Sequence, residues 1–243
     1  MDTIKRGIPL KIDNEGIVDS IVILQFETEF NQKKLENELL LFLNEKLTNN
    51  EFRPTPRRKK DVRKLDSFVE DGYFYSNGIL KIFIDSDKFC INCIGKYPGW
   101  NDVLGPFVYG IVNTFHSKFV MFTGVGVRYI NIFQNESLIE NLDGEIQFNN
   151  FNIFNGSTYN FTCGAMDGST HNAKATVHLT EKAKMDNDLA SIVDIEVKTN
   201  LKDFKISRAN DVYSHVSYCH SVMKDIFYRL LSDKYVDSHN PVW

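Results

Sequence analysis

The sequence predicts an α+β protein of two similar halves, built from antiparallel sheet with helices packed on one face. Three observations carry that expectation. Segments that alternate every second residue, as strands do, are separated by segments with the three-to-four-residue period of amphipathic helices. Several strands meet at turns too tight for parallel neighbours, at Asn77-Gly78, Asp85-Ser86-Asp87 and Asp167-Gly168. The aromatic content is 13%, with 19 Phe and 10 Tyr, and such side chains fit a half-buried pleated surface.

Taken in order, "SIVILQFETEF" (Ser20 to Phe30) reads as a strand, and Asn31 is an N-cap for a helix with Leu35, Leu39, Phe42 or Leu43, and Leu47 on one face. "RPTPRRKKDVRK" (Arg53 to Lys64) follows, and Pro54 and Pro56 make it read as an exposed loop. "DGYFYSNGILKIFIDSDKFCINCIG" reads as an antiparallel meander. In "KYPGWNDVLGPFVYGIVNTF" an apolar stripe of Trp100, Leu104, Phe107, Ile111 and Phe115 is widened by Val103, Val108 and Val112. Pro106 means that this helix either begins near Gly105 or is kinked there.

From Gly124 the order restarts. "GVGVRYINIF" is a strand, "NESLIENL" a short helical turn, "STYNFTCGAMDGSTHNAKATVHLT" a hairpin and "DLASIVDIEVKT" a further strand. The chain ends in a long helix from Ser207, its N-cap, to Ser232, with Val212, Val216, Cys219, Met223, Ile226 and Leu230 as its stripe. Each half therefore reads strand, helix, two or three antiparallel strands, long helix. This suggests an internal structural duplication, with residues 1–120 as the first half, carrying the basic loop 53–64, and residues 121–243 as the second.

Composition narrows the functional classes. With 42% hydrophobic and 25% charged residues over 243 positions, the chain can bury one large core or two smaller ones, which argues against disorder. No stretch approaches the roughly 20 apolar residues of a membrane span, and "MDTIKRGIPLKIDNEGIV" lacks the apolar centre of a signal peptide, so a cytoplasmic setting without membrane contact is expected. There the four cysteines are expected to stay reduced and to pack as small hydrophobes. "CINC" (Cys90 to Cys93) lacks a second Cys/His pair for zinc and puts its sulfurs on opposite sides of a strand, so no metal and no cofactor is expected. The net charge of −4 divides into +6 for Arg53 to Lys64 and −10 for the rest. That basic segment is either a solvated linker or a contact for phosphate or an acidic partner, through Arg57, Arg58, Lys59 and Lys60, while the acidic remainder argues against a general nucleic-acid surface.

The remaining candidates lie around Gly124. Arg128 alternates with Ile130 and Ile132 and needs a partner if buried; Glu27, Asp194 and Glu196 are available, and an anionic ligand is the functional alternative. Asn131 either braces a neighbouring segment or contacts a ligand, and Gly124 and Gly126 allow close backbone packing. His215 and His220 lie on the last helix, where a hydrogen-bonded, partly buried histidine is the default. No phosphate-binding loop, nucleophile elbow or zinc-protease motif is present. Cys163, Asp167, His171 and His178 on one hairpin are the best residual catalytic group, and neighbours so close in sequence are more often fortuitous.

The sequence "SIVILQFE", "YPGW" opening a helix, "GVRYIN" on a strand and "CHSVMKDIFYRLLSDK" on the last helix resembles a sporadically distributed, uncharacterised family of prokaryotic proteins of similar length. The resemblance names no activity, but patchy distribution implies mobile-element, toxin-antitoxin or phage-defence genes. It singles out Tyr97, Trp100, Arg128 and Asn131. Two functions are weighed: a non-enzymatic binding or regulatory protein, antitoxin-like or a phage-defence accessory, with a protein partner; and a small-molecule enzyme or binding protein holding an anionic ligand between the halves. Homodimerisation is open under both.

Overall fold

The computed structural model describes residues 8–9, 11–13, 16–46, 52–60, 68–93, 97–134, 147–148, 151–152, 158–167, 171–185 and 188–242. Its strands are β1 (Ile17–Glu27), β2 (Arg53–Lys60), β3 (Phe68–Ser76), β4 (Leu80–Ile84), β5 (Lys88–Cys93), β6 (Met121–Gln134), β7 (Gln147–Phe148), β8 (Phe151–Asn152), β9 (Thr158–Asp167), β10 (His171–Met185) and β11 (Asp188–Asn200). Its α-helices are α1 (Gln32–Lys46), α2 (Gly105–Phe115), α3 (Ala209–Leu230) and α4 (Asp233–Ser238). The fold is α+β and its resolved strand ladders are antiparallel, as the tight turns require. Two compact units divide the chain: Asp19–Val127 with Lys198–Ser217, and Met1–Val18 with Arg128–Val197 and Tyr218–Trp243.

In the first unit the strands lie in the order β2-β3-β4-β5-β1-β6. On β1, Ser20, Val22, Leu24 and Phe26 are buried while the residues between them are not, so one face of the strand carries the core. Asn31 caps α1 by accepting a hydrogen bond from the Lys34 amide at 3.0 Å, and Leu35, Leu39, Phe42 and Leu43 form its buried stripe. Phe89 is fully buried among Phe26, Phe115 and Phe122, which joins α2 to the sheet through aromatic contacts. The turn between β3 and β4 is built by Asn77, whose side-chain oxygen accepts from the Ile79 and Leu80 amides, and by Gly78 at φ 87°, a conformation glycine tolerates.

The basic segment corrects the sequence reading. Residues 53–60 are not a loop but strand β2, the outermost in the order, paired with β3 from Arg53↔Ser76 to Lys60↔Phe68. Pro54 and Pro56 are two residues apart, so their nitrogens fall on the same side of the strand. That side is the edge facing away from β3, where no ladder bond is lost, and the register shifts between Pro56 and Arg58. Residues 61–64 lie outside the described residues.

In the second unit the order is β6-β11-β10-β9, with β7 and β8 in a separate two-stranded ladder. The two units share a scheme: the first strand of each is flanked by its last, and the intervening strands run outward in reverse chain order. Phe133 on β6 stacks on Phe227 of α3 and meets Tyr235 of α4 edge-on. Chain termini are tied together, Asp13 donating to the His239 carbonyl at 2.7 Å and Val242 to that of Lys11 at 2.9 Å.

Two details of α3 differ from the sequence reading. Ser207 is not its cap: the Arg208 carbonyl accepts the first helical bond, and the Asp211 carboxylate reaches back to the amides of Ser207 and Arg208 at 3.1 and 2.9 Å. The buried stripe runs Val212, Val216, Cys219, Met223 and then Phe227, displacing Ile226 and Leu230, because the helical period carries it round by one position, and Leu231 is buried just past the helix end. The expected helical turn at 135–142 and Leu47 lie outside the described residues. Among the described residues no helix is long and apolar enough to cross a membrane.

Candidate functional site

The segment from Tyr97 to Phe115 holds an unusual turn. Gly99, at φ 93°, leads into a single π-helical turn over Trp100–Leu104, in which the Leu104 amide reaches five residues back to the Gly99 carbonyl. α2 then begins at Gly105 with Pro106 in its first turn, the first of the two expected arrangements. A side chain at position 105 would stand 2.9 Å from the Trp100 carbonyl, 3.0 Å from the Tyr213 hydroxyl and 3.1 Å from Trp100 Nε1, which explains the glycine. Trp100 is buried, and Tyr97 half-buried. Outside the turn, Asn101, Asp102 and Tyr109 are exposed, with Tyr109 edge-on to Tyr213 at 5.1 Å.

Arg128 has a partner, and it is Asp194. The guanidinium grips the carboxylate with two bonds, Nε to Oδ1 at 2.8 Å and a terminal nitrogen to Oδ2 at 2.6 Å. Its side chain is 39% exposed against 13% for Asp194, so the expectation of a buried guanidinium is corrected: the carboxylate is the sheltered member. Glu27 instead pairs with Lys202. Asn131 is fully buried and donates to the Val193 carbonyl at 3.2 Å, bracing β11. At Gly124 a side chain would meet Gln25 Oε1 at 2.5 Å, a contact that the flexible Gln25 side chain can relieve by moving, and no backbone atom closer than the Thr199 carbonyl at 3.5 Å. His220, against Tyr129, has its pKa pushed down to about 3 by burial, with Lys224 adding to the shift, and it stays neutral at physiological pH. His116, which sequence reasoning passed over, is stacked on Phe122, and neither ring nitrogen has a hydrogen-bond partner among the described residues. Burial lowers its pKa against the opposing pull of Asp211.

Tyr97, Trp100, Arg57, Arg58, Lys59 and Lys60 belong to the first unit, Arg128 and Asn131 to the second. The hairpin group also separates. Cys163 stands opposite Ala175 in the β9–β10 register, three positions from His178 and four from His171. His178 is bonded to Asn160, His171 stacks on Tyr218, and the side chain of Asp167 is not among those described. Among the described residues no cluster of three or more His, Cys, Asp or Glu side chains could hold a metal ion.

What stands out chemically is β2. Five of its eight residues are basic, Arg53, Arg57, Arg58, Lys59 and Lys60, and none is acidic. Arg53, Pro54 and Thr55 are exposed, and the side chains of residues 56–60 lie outside those described. Two prolines two residues apart were the available signal for an edge strand, more specific than the loop that proline suggests by default. No family model matches this sequence, and no curated protein matches it.

Proposed function

We propose that this chain is a non-catalytic binding or regulatory protein that engages an acidic protein partner through β2. The observation that carries the reading is a sheet edge with five basic residues in eight and no acid, on a chain whose net charge is −4. Pairing with β3 sets the backbone spacing from which these residues project, as a linker would not. Pro54 and Pro56 remove donors from the outer edge, so the partner is held by side-chain charge and not by strand addition at that end. An antitoxin-like or phage-defence role is the setting that the family resemblance implies for such a surface, and the common strand order of the two units supports the duplicated architecture. The competing reading, with Arg128 as an anion anchor, is less favoured because Asp194 already occupies the guanidinium fork.

A glutamate-rich peptide serves as a probe. Titrated calorimetrically into the wild-type protein, it binds with an affinity that falls as salt rises, because charge pairing at an exposed edge is screened. Replacing Arg57, Arg58, Lys59 and Lys60 together by Gln weakens binding at least tenfold and flattens the salt dependence while leaving the melting temperature within a few degrees. Equal binding by the two proteins sinks the proposal.

A further inference from the structure

The two strands at the ends of the sheet orders are defended very differently. β2 carries the devices that keep sheet edges from pairing: two prolines, a register shift and a run of positive charge. β9, outermost beside β10, has ten residues, "TYNFTCGAMD", with no Pro, Lys or Arg, and its one charge is Asp167 at the very end. Its described side chains, Thr158 to Gly164, are all exposed or half-buried. Among the described residues no strand pairs with its outer edge, and an edge strand of this length without charge or proline is a template for another strand.

We propose that β9 is a homodimer interface at which two copies of this chain pair antiparallel about a two-fold axis. β9 offers no charge along Thr158–Met166 for an acidic or basic partner to read, so a charged occupant is not selected. A second copy fits by symmetry. A two-fold axis that makes identical strands antiparallel stands perpendicular to the sheet, so it keeps each face on its own side and pairs odd positions with odd. With the axis on Thr162, Phe161 stands opposite Cys163 of the second copy, Cys163 opposite its Phe161 and Tyr159 opposite its Ala165, while Tyr159, Phe161 and Cys163 lie on one face of their own strand. They share a face with Leu179, Val177 and Ala175, their partners on β10, which are buried. The apolar stripe that ends at β9 is thereby continued across the axis. Centring the axis on either Thr162 or Cys163, the middle of the strand, brings the two Cys163 thiols close together. The remaining cysteines, Cys90, Cys93 and Cys219, are buried, so Cys163 reports on this contact alone.

Sedimentation equilibrium of the full chain tests the idea. The wild type is expected at twice its 28.0 kDa mass at micromolar concentration, and a short bismaleimide should give a crosslinked dimer that Cys163→Ser abolishes. Phe161→Lys combined with Cys163→Lys sets like charges against each other across the axis and should weaken dimerisation at least tenfold with an unchanged circular dichroism spectrum. A wild type that stays monomeric at 100 µM protein overturns the proposal, as does a dimer that neither crosslinks through Cys163 nor responds to the lysines. Should the lysine variant fail to fold, the wild-type crosslink decides the matter.

Discussion

The Arg128–Asp194 pair is asymmetric, and its asymmetry predicts how each half responds to removal. Losing Arg128 leaves a sheltered carboxylate without its fork of donors, whereas losing Asp194 leaves a guanidinium that reaches water. Arg128→Met should therefore cost about 1–3 kcal/mol in denaturant unfolding and Asp194→Asn less, with Arg128→Met plus Asp194→Leu recovering much of the loss. Equal costs for the two single changes would contradict the geometry. The sequence reading instead treats the guanidinium as the member of the pair that needs shelter. Alternation along "VRYINIF" does place Arg128 opposite Val127, Tyr129 and Phe133, but sequence does not tell which face the helices cover. His220 gives a second prediction. Its imidazole titrates near 6.5 when unfolded and at about 3 when folded, so protons favour the unfolded chain. The stability it contributes is complete above roughly pH 6.5 and is lost as pH falls towards 3, at up to about 1.4 kcal/mol per pH unit. His220→Phe should flatten the pH dependence of the melting temperature between pH 6.5 and 4, and an unaltered profile would count against a half-buried neutral imidazole.

Among the elements, α3 and the π-helical turn make the sharpest tests. The Asp211 carboxylate, not the Ser207 hydroxyl, satisfies amides at the start of α3. Asp211→Asn is expected to lower the melting temperature and Ser207→Ala to leave it nearly unchanged; the reverse order would restore Ser207 as the cap. At the turn, Trp100→Ala should destabilise by about 3–5 kcal/mol, since the buried indole leaves a cavity that the glycine-bounded turn cannot close. Unchanged unfolding would make Trp100 a surface contact. The strands other than β2, β7 and β8, the Asn77-Gly78 turn, the Asn31 cap and the α2 stripe were legible because each is specified by residues close in sequence. The π-turn, the Asp211 cap and the choice of Asp194 over Glu27 were not. Each depends on which of several chemically equivalent neighbours the tertiary packing brings within reach.

For the whole molecule, the strand order sets which elements meet solvent along an edge. In the first unit it turns a basic stretch that reads as a linker into the outermost strand, and in the second it leaves β9 outermost. No local pattern specifies strand order, which is why the candidate residues could be nominated from sequence but not assembled into one site. The central claim is that β2 carries recognition, and hydrogen-deuterium exchange with a bound acidic probe reads it at the backbone. On addition of a glutamate-rich peptide at low salt, protection should rise in peptides covering Arg53–Lys60 and their β3 partners and vanish at high salt. Protection confined to other segments, with residues 53–60 unchanged, would contradict it.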